Sequence, residues 1–304
     1  MSNGQSPLIQ IQHLTKVFGG GEDLDDVLKR LEEGASKADI LEQFGLNVGV
    51  VDASFDVYEG ETFVVMGLSG CGKSTLLRMF NLLIPPSNGQ IIIDHQNLCD
   101  LSSDELVQFR RKWMSMVFQT FALLPHRTVL DNVRFGLEVA HVPRKKANKK
   151  ALETLEQVGL ADYRHKRPRD LSGGMQQRVG LARALATESP ILLMDEAFSA
   201  LDPLIRHDMQ SELLKLKAQR TIIFISHDLD EAFRLGDRIA IMEKGEIIQV
   251  GKPTELIHNP ANDYVRTFFR DLEVHKYLKA KDFAKKRDSM PSDMTMVERS
   301  ADFS

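Results

Sequence analysis

Short apolar runs recur along this chain of 304 residues, separated by longer stretches in which apolar positions return every three or four residues. That rhythm predicts an α/β protein with a mostly parallel sheet. The strand candidates are "LIQIQ", "VDASFDVY", "TFVVMG", "QIIID", "MSMVFQ", "PILLMDE", "TIIFIS", "RIAIM" and "EIIQVG". In "VDASFDVY" apolar and polar positions alternate, which predicts an antiparallel strand with one wet face. "FVVM", "ILLM" and "IIFI" are apolar without a break, as strands covered on both faces must be. "RIAIMEKGEIIQVG" reads as a hairpin turning at Lys244 and Gly245. The expectation is an antiparallel β subdomain joined to a parallel α/β core.

Two regions depart from this rhythm. Between residues 19 and 48, Leu24, Val27, Leu28 and Leu31 share one helical face, Gly34 breaks the pattern, and Ser36 followed by Asp39 reads as a new helix start continued by Ile40, Leu41 and Phe44. This insertion is expected to be two short helices. Residues from about 120 to 170 are expected to form a helical subdomain, with "HVPRKKANKK" as its solvated face. Residues 1–270 thus read as one domain, and 271–304 as a polar, loosely ordered tail.

Composition removes several classes. The formal net charge of -4, from 39 basic and 43 acidic residues, disfavours nucleic acid as a partner. Two cysteines, Cys71 and Cys99, cannot make a disulfide scaffold. The N-terminus lacks the pattern of a signal peptide, and no apolar run approaches the ~18 residues that span a bilayer. A cytoplasmic protein is expected, and any membrane role would have to come through a partner.

The chemistry is concentrated at the ends of the strands. "GLSGCGKST" fits G-x-x-x-x-G-K-[ST], between a buried strand and the apolar-periodic "TLLRMFNLL". Such a loop wraps backbone N–H groups around phosphates, so Gly67, Ser69, Gly70, Cys71, Gly72, Lys73, Ser74 and Thr75 are candidate nucleotide contacts. Lys73 is expected to reach the β- and γ-phosphates, and Ser74 to ligate Mg2+. Alkylation of Cys71 is expected to block nucleotide binding. In "ILLMDEAFSALD" two carboxylates follow a buried strand, where ligands of a parallel sheet bind. Asp195 is the candidate Mg2+ partner and Glu196 the candidate base for the attacking water. Gln119 ends "MSMVFQ" as a candidate for sensing metal or water, and His227 follows "TIIFIS" as a candidate γ-phosphate contact.

The phosphate loop, Gln119, "LSGGMQQ", "ILLMDE", "SALD" and His227, in that order, resemble the ATP-binding cassette (ABC) family over about residues 8 to 260. The resemblance implies a P-loop NTPase core, ATP and Mg2+ as cofactors, and two cassettes packed head to tail. Ser172, Gly173 and Gly174 of one subunit would then face the γ-phosphate held by the other. Sequence alone leaves an intrachain contact equally open. Met175 stands where the family usually has glutamine, and Gln176 follows it as a candidate contact. Asp202 would lie at the same interface. Phe18 resembles the family's adenine-stacking aromatic, against a competing reading as an exposed core phenylalanine.

The insertion, together with "RTVLDNVRFGLEVA", "MDEAFSALDPLIR" and "NPANDYVRTFFRD", is similar to the cassettes of glycine betaine and proline betaine importers. That likeness implies an ATPase subunit on the cytoplasmic face of the plasma membrane, gripping a separate permease through "TFALLPHRTVLDNV", with Phe121, Leu123 and Leu124 as apolar contacts. A solute-binding protein would be an indirect partner. Many such proteins carry regulatory cystathionine-β-synthase-type domains, for which about 34 residues after Arg270 are too few. Alternatives are an importer ATPase for another small solute, a soluble cassette acting on ribosomes or DNA, and a small-molecule kinase. A kinase has no need of "LSGGMQQ". Removal of residues 22 to 44 is expected to spare ATP turnover, because the insertion carries no phosphate-binding group.

Overall fold

The structure is a computed structural model and describes residues 6–19, 21–217 and 219–269. Its strands, in chain order, are β1 (Ile9–Phe18), β2 (Asn47–Val57), β3 (Thr62–Met66), β4 (Asn88–Ile93) and β5 (Gln96–Asn97). There follow β6 (Met114–Val117), β7 (Ile191–Asp195), β8 (Thr221–Ile225), β9 (Arg238–Glu243) and β10 (Glu246–Gly251). The helices are α1 (Leu24–Glu32), α2 (Lys37–Phe44), α3 (Lys73–Phe80), α4 (Ser103–Trp113), α5 (Val129–Val139) and α6 (Arg144–Gln157). The remainder are α7 (Gly173–Ala186), α8 (Pro203–Leu216), α9 (Leu229–Leu235), α10 (Pro253–His258) and α11 (Asp263–Phe268). The tail assigned to 271–304 lies outside the described residues.

Two sheets divide the strands. One is antiparallel in the order β2-β1-β4-β5; the other runs β10-β9-β3-β8-β7-β6, parallel except for the β10–β9 hairpin. The parallel sheet explains its own apolar runs, because successive residues enter different cores. Val64, Met66, Leu192, Met194, Ile222 and Phe224 join the cluster beneath α7 and the other helices. Phe63, Val65, Ile191, Leu193, Ile223 and Ile225 join the cluster shared with α3 and the antiparallel sheet. There Phe55 stacks on Phe63 with ring centroids 5.0 Å apart, welding the two sheets. Phe63 is fully buried, a placement of about 2–3 kcal/mol for such a side chain.

β2 shows the alternation expected of a half-wet strand, but it begins at Asn47, earlier than "VDASFDVY" indicated. β1 runs beyond "LIQIQ" to Phe18 through register shifts after Ile11 and Leu14, with His13 at φ 50°. Those bulges break the period of two and hid the strand's second half. The insertion forms α1 and α2. Ser36 caps α2 in a reciprocal capping box with Asp39, whose carboxyl the Ser36 hydroxyl holds below its usual range. The insertion packs Val27 and Ile40 against Val17 and Val48 of the sheet edge. The helical region also departs from its expected limits. Residues 119–128 are not helical, and α5 and α6 pack on α7, which begins beyond residue 170.

Candidate active site

The strand order brings four carboxyl ends side by side. β3 pairs with β8, β8 with β7 and β7 with β6, all parallel. The loop after Met66, the Asp195–Glu196 pair, His227 and Gln119 therefore emerge along one edge. Ser69, Gly70, Gly72, Lys73, Ser74, Thr75, Gln119 and Glu196 line one cleft of about 240 Å3 there.

The loop needs its glycines for space. A Cβ on Gly67 would lie 2.2 Å from the Met242 carbonyl oxygen, and one on Gly72, at φ 111°, would lie 2.3 Å from that of Gly49. Gly72 opens α3, and Lys73 is its first residue. The Lys73 ammonium is buried and donates to the Gly67 carbonyl at 2.8 Å and to Leu68 at 3.0 Å. Cys71 lies within the loop as expected, while its side chain, 7% exposed, packs into the core beneath.

Asp195, the last residue of β7, is fully buried. Ser74 Oγ donates to its Oδ1 at 2.8 Å, and Arg78 Nη2 lies 3.5 Å from Oδ2. A buried carboxylate requires such partners. Facing hydroxyl and carboxylate oxygens suit Mg2+, a hard cation that takes one or two protein ligands and completes its shell with phosphate and water. Arg78 was missed from sequence, although it stands one helical turn after Ser74, a spacing that puts both on one face.

Glu196 has a backbone φ of 47°, a left-handed conformation costing roughly 1–2 kcal/mol for an L-residue. It is held there from several sides. Its N–H donates to the Ile225 carbonyl at 3.2 Å, while its carbonyl accepts from Ser199 N at 3.2 Å, Ser199 Oγ at 3.0 Å and Gln177 Nε2 at 3.4 Å. The twist presents the carboxylate to the cleft, where Gln119 Nε2 donates to Oε2 at 3.0 Å and His227 Nδ1 stands 3.6 Å from Oε1. The His227 turn is anchored beneath. Ser226 Oγ accepts from Asp228 N at 2.9 Å and donates to buried Glu231 at 2.7 Å. Desolvation pushes the Glu231 carboxyl above its usual range.

The second glycine-rich turn stands apart from this cleft. Ser172 caps α7, its Oγ accepting from Met175 N at 3.3 Å, and Ser172 and Gly173 are exposed. Ser172, Gly173 and Gly174 do not line the cleft that holds Lys73 and Glu196. Gln176 donates to the Leu171 carbonyl of its own turn at 3.2 Å. The neighbouring Gln177 is a second residue that sequence reasoning missed. It is buried; its Nε2 donates to the Glu196 carbonyl and its Oε1 accepts from Ala200 N at 3.0 Å, tying α7 to the loop after β7. Its spacing from Gly180, Leu181 and Ala184 marks α7's inner face. Asp202 caps α8, accepting from Ile205 N at 3.1 Å. Phe18 is 40% exposed and abuts Gly49, whose added Cβ would lie 2.9 Å from its ring and 3.1 Å from Thr75 Cγ2.

A phosphate loop, paired carboxylates and a capped Ser-Gly-Gly turn on one P-loop core define an ABC-type ATPase cassette, and the chain belongs to the ABC transporter family. The family model described as "ABC transporter" matches residues 50–199. The glycine betaine/proline betaine transport system ATP-binding protein ProV of Escherichia coli (strain K12) is 58% identical over 280 residues, covering 91% of this chain and 70% of that protein. The glycine betaine transport ATP-binding protein OpuAA of Bacillus subtilis (strain 168) is 51% identical over 296 residues, covering 96% and 70%. Among solved structures, the ATP-binding cassette MJ0796, seen as a dimer in a post-hydrolysis state with ADP and Pi, aligns with TM-score 0.69 at 32% identity, covering 80% of this chain and 98% of that one.

Proposed function

We propose that this protein is the ATP-hydrolysing subunit of an importer for glycine betaine-type quaternary ammonium or related methylated amine solutes. It works as a homodimer beneath a separate permease, peripheral to the cytoplasmic face of the membrane, with a solute-binding protein as indirect partner. The observation that carries the enzymatic half is Glu196, twisted into the cleft between Gln119 and His227, one residue from the Ser74–Asp195 pair. The 58% identity to ProV supports the solute class.

The residues divide the work as follows. Backbone N–H groups from Ser69 to Thr75 hold the phosphates, Phe18 stacks the adenine, and Lys73 exchanges its loop carbonyls for β- and γ-phosphate oxygens. Ser74, Asp195 and Gln119 hold Mg2+, which supplies neutralisation of charge on those oxygens. Glu196 takes a proton from the attacking water as the bond to the γ-phosphorus forms and the bond to ADP breaks. His227 steadies the γ-phosphate. Ser172, Gly173, Gly174 and Gln176 of the second subunit close the open side, with Asp202 at the same seam. Residues 1–270 act as this one nucleotide-binding domain.

An apolar groove supports the permease contact. It is lined by Met114, Met116, Phe118, Ala122, Leu124 and Phe135, with Arg183 at its edge, and has a volume of about 350 Å3. Of the three expected contacts only Leu124 lines it; Phe121 lies over Gly173 and Gly180, and Leu123 packs on the core. No helix among the described residues is long and apolar enough to cross a membrane, which fits a separate channel. The test is reconstitution with the cognate permease and binding protein, measuring ATP turnover with glycine betaine, proline betaine, choline or trimethylamine oxide. Stimulation by one of these methylated amines is expected; stimulation solely by unrelated solutes overturns the solute class.

A further inference from the structure

The insertion is wired to the nucleotide site. Lys37, the first residue of α2, sends its ammonium across the edge of β2 to donate to the Gly49 carbonyl at 3.3 Å. That oxygen is the one a Cβ on Gly72 would meet at 2.3 Å, so the Lys37 acceptor is pressed against the phosphate loop. The other side of Gly49 is equally crowded, by the Phe18 ring and the Thr75 methyl. One peptide thus seats the aromatic, the loop glycine and the start of α3, and Lys37 is its tie from outside. The tie is enclosed. A Cβ on Gly245, at the β9–β10 turn, would lie 2.8 Å from the Lys37 ammonium, and Gly245 O accepts from Val51 N at 2.9 Å. Partial burial lowers the Lys37 pKa, while the Glu246 carboxylate favours the ammonium.

We propose that Lys37 is a positioning residue for nucleotide binding. Through Gly49 it fixes the relative placement of Phe18 and the phosphate loop, so that the helical insertion sets ATP affinity. An ammonium donating to a partly buried carbonyl is a charge-assisted hydrogen bond. Its loss frees a peptide on which two parts of the site rest. This revises the expectation that the insertion can be removed without consequence for ATP turnover, although Lys37 itself touches no phosphate in the proposed arrangement. The inference rests on the assignment of ATP to the Gly67–Thr75 loop.

The full-length protein carrying Lys37→Met, Lys37→Arg or Lys73→Ala is titrated with ATP against a fluorescent ATP analogue, and its unfolding is followed without nucleotide. Lys37→Met is expected to weaken ATP about three- to tenfold, with a smaller fall in turnover at saturation. Lys37→Arg is expected to stay within about twofold, because a guanidinium can still donate to Gly49. Three results overturn the proposal: an ATP affinity in Lys37→Met within twofold of the original, an arginine variant as weak as the methionine one, or a loss tracked by a matching drop in nucleotide-free stability. If Lys73→Ala binds ATP normally, the loop assignment fails instead, whatever Lys37 does.

Discussion

At the start of α3 the glycines are there because the chain's own backbone leaves no room, with Gly67 and Gly72 each within 2.3 Å of a carbonyl oxygen at the Cβ position. At the start of α7 the crowding is milder. A Cβ on Gly173 would meet nothing nearer than a Phe121 ring carbon at 3.9 Å, and Gly174 has the Ala200 carbonyl at 3.3 Å. Both turns open helices and both present N–H groups. In the first, smallness is demanded by folding. In the second, folding demands little, and Ser172 and Gly173 face solvent. The difference points to a surface kept small for something that arrives, which accords with a site completed by another subunit.

The largest effect tests the complete half. Glu196→Gln is expected to slow hydrolysis by about 100-fold or more, while ATP binding stays close to the original, because the phosphate loop is intact. Gln119 and His227 remain on either side of the new amide, so the site keeps its shape. Single-turnover hydrolysis beside equilibrium ATP binding separates the two. Turnover near the original removes Glu196 from the role of base.

The next test addresses the incomplete half. A Ser172→Arg protomer keeps its phosphate loop but blocks its exposed turn; a Lys73→Ala protomer does the reverse. Each alone is expected to be nearly inactive. Mixed, they form heterodimers in which one site combines the intact loop of the first with the intact turn of the second. ATPase activity is therefore expected to reappear on mixing, toward about a quarter of the original at equal amounts if pairing is random. Two correctly folded variants that stay inactive together would sink the shared-site reading.

The same contrast bears on what could be read from sequence. The placement of Lys73, Asp195, Glu196, Gln119 and His227 was legible because each ends a strand, follows one within two residues or opens a helix, and a parallel sheet puts such ends on one edge. The strand order that makes β7 lie between β6 and β8 is non-local and was not legible. For the same reason the groove was not foreseen. Met114 and Met116 come from β6, Phe118 follows that strand and Phe135 comes from α5, and no local pattern joins them. The left-handed backbone of Glu196 was hidden too, since a glutamate carries no sign of positive φ. Cys71 was read by its neighbours in the chain, whereas its side chain answers to the core below it. Lys37 sat in an insertion judged by the residues it contains, not by the distance its side chain could reach.

The smallest effect on the fold is the sharpest test of the comparison. Gly72→Ala forces a left-handed alanine into a backbone contact and is expected to cost about 2 kcal/mol or more of stability, lowering the unfolding midpoint and ATP affinity together. Gly173→Ala has open space on this chain and sits at the first turn of a helix, where alanine is favourable. Its stability is expected to change by no more than about 0.5 kcal/mol. Yet the added methyl sits on the exposed turn at which the γ-phosphate held by the second subunit is proposed to dock. Turnover is expected to fall about tenfold or more as donors on that turn are held back, and monomeric ATP binding is expected to hold. Melting curves, ATP titration of the monomer and steady-state hydrolysis read the three quantities separately. A Gly173→Ala variant as active as the original would mean that the bareness of this turn serves no approaching phosphate.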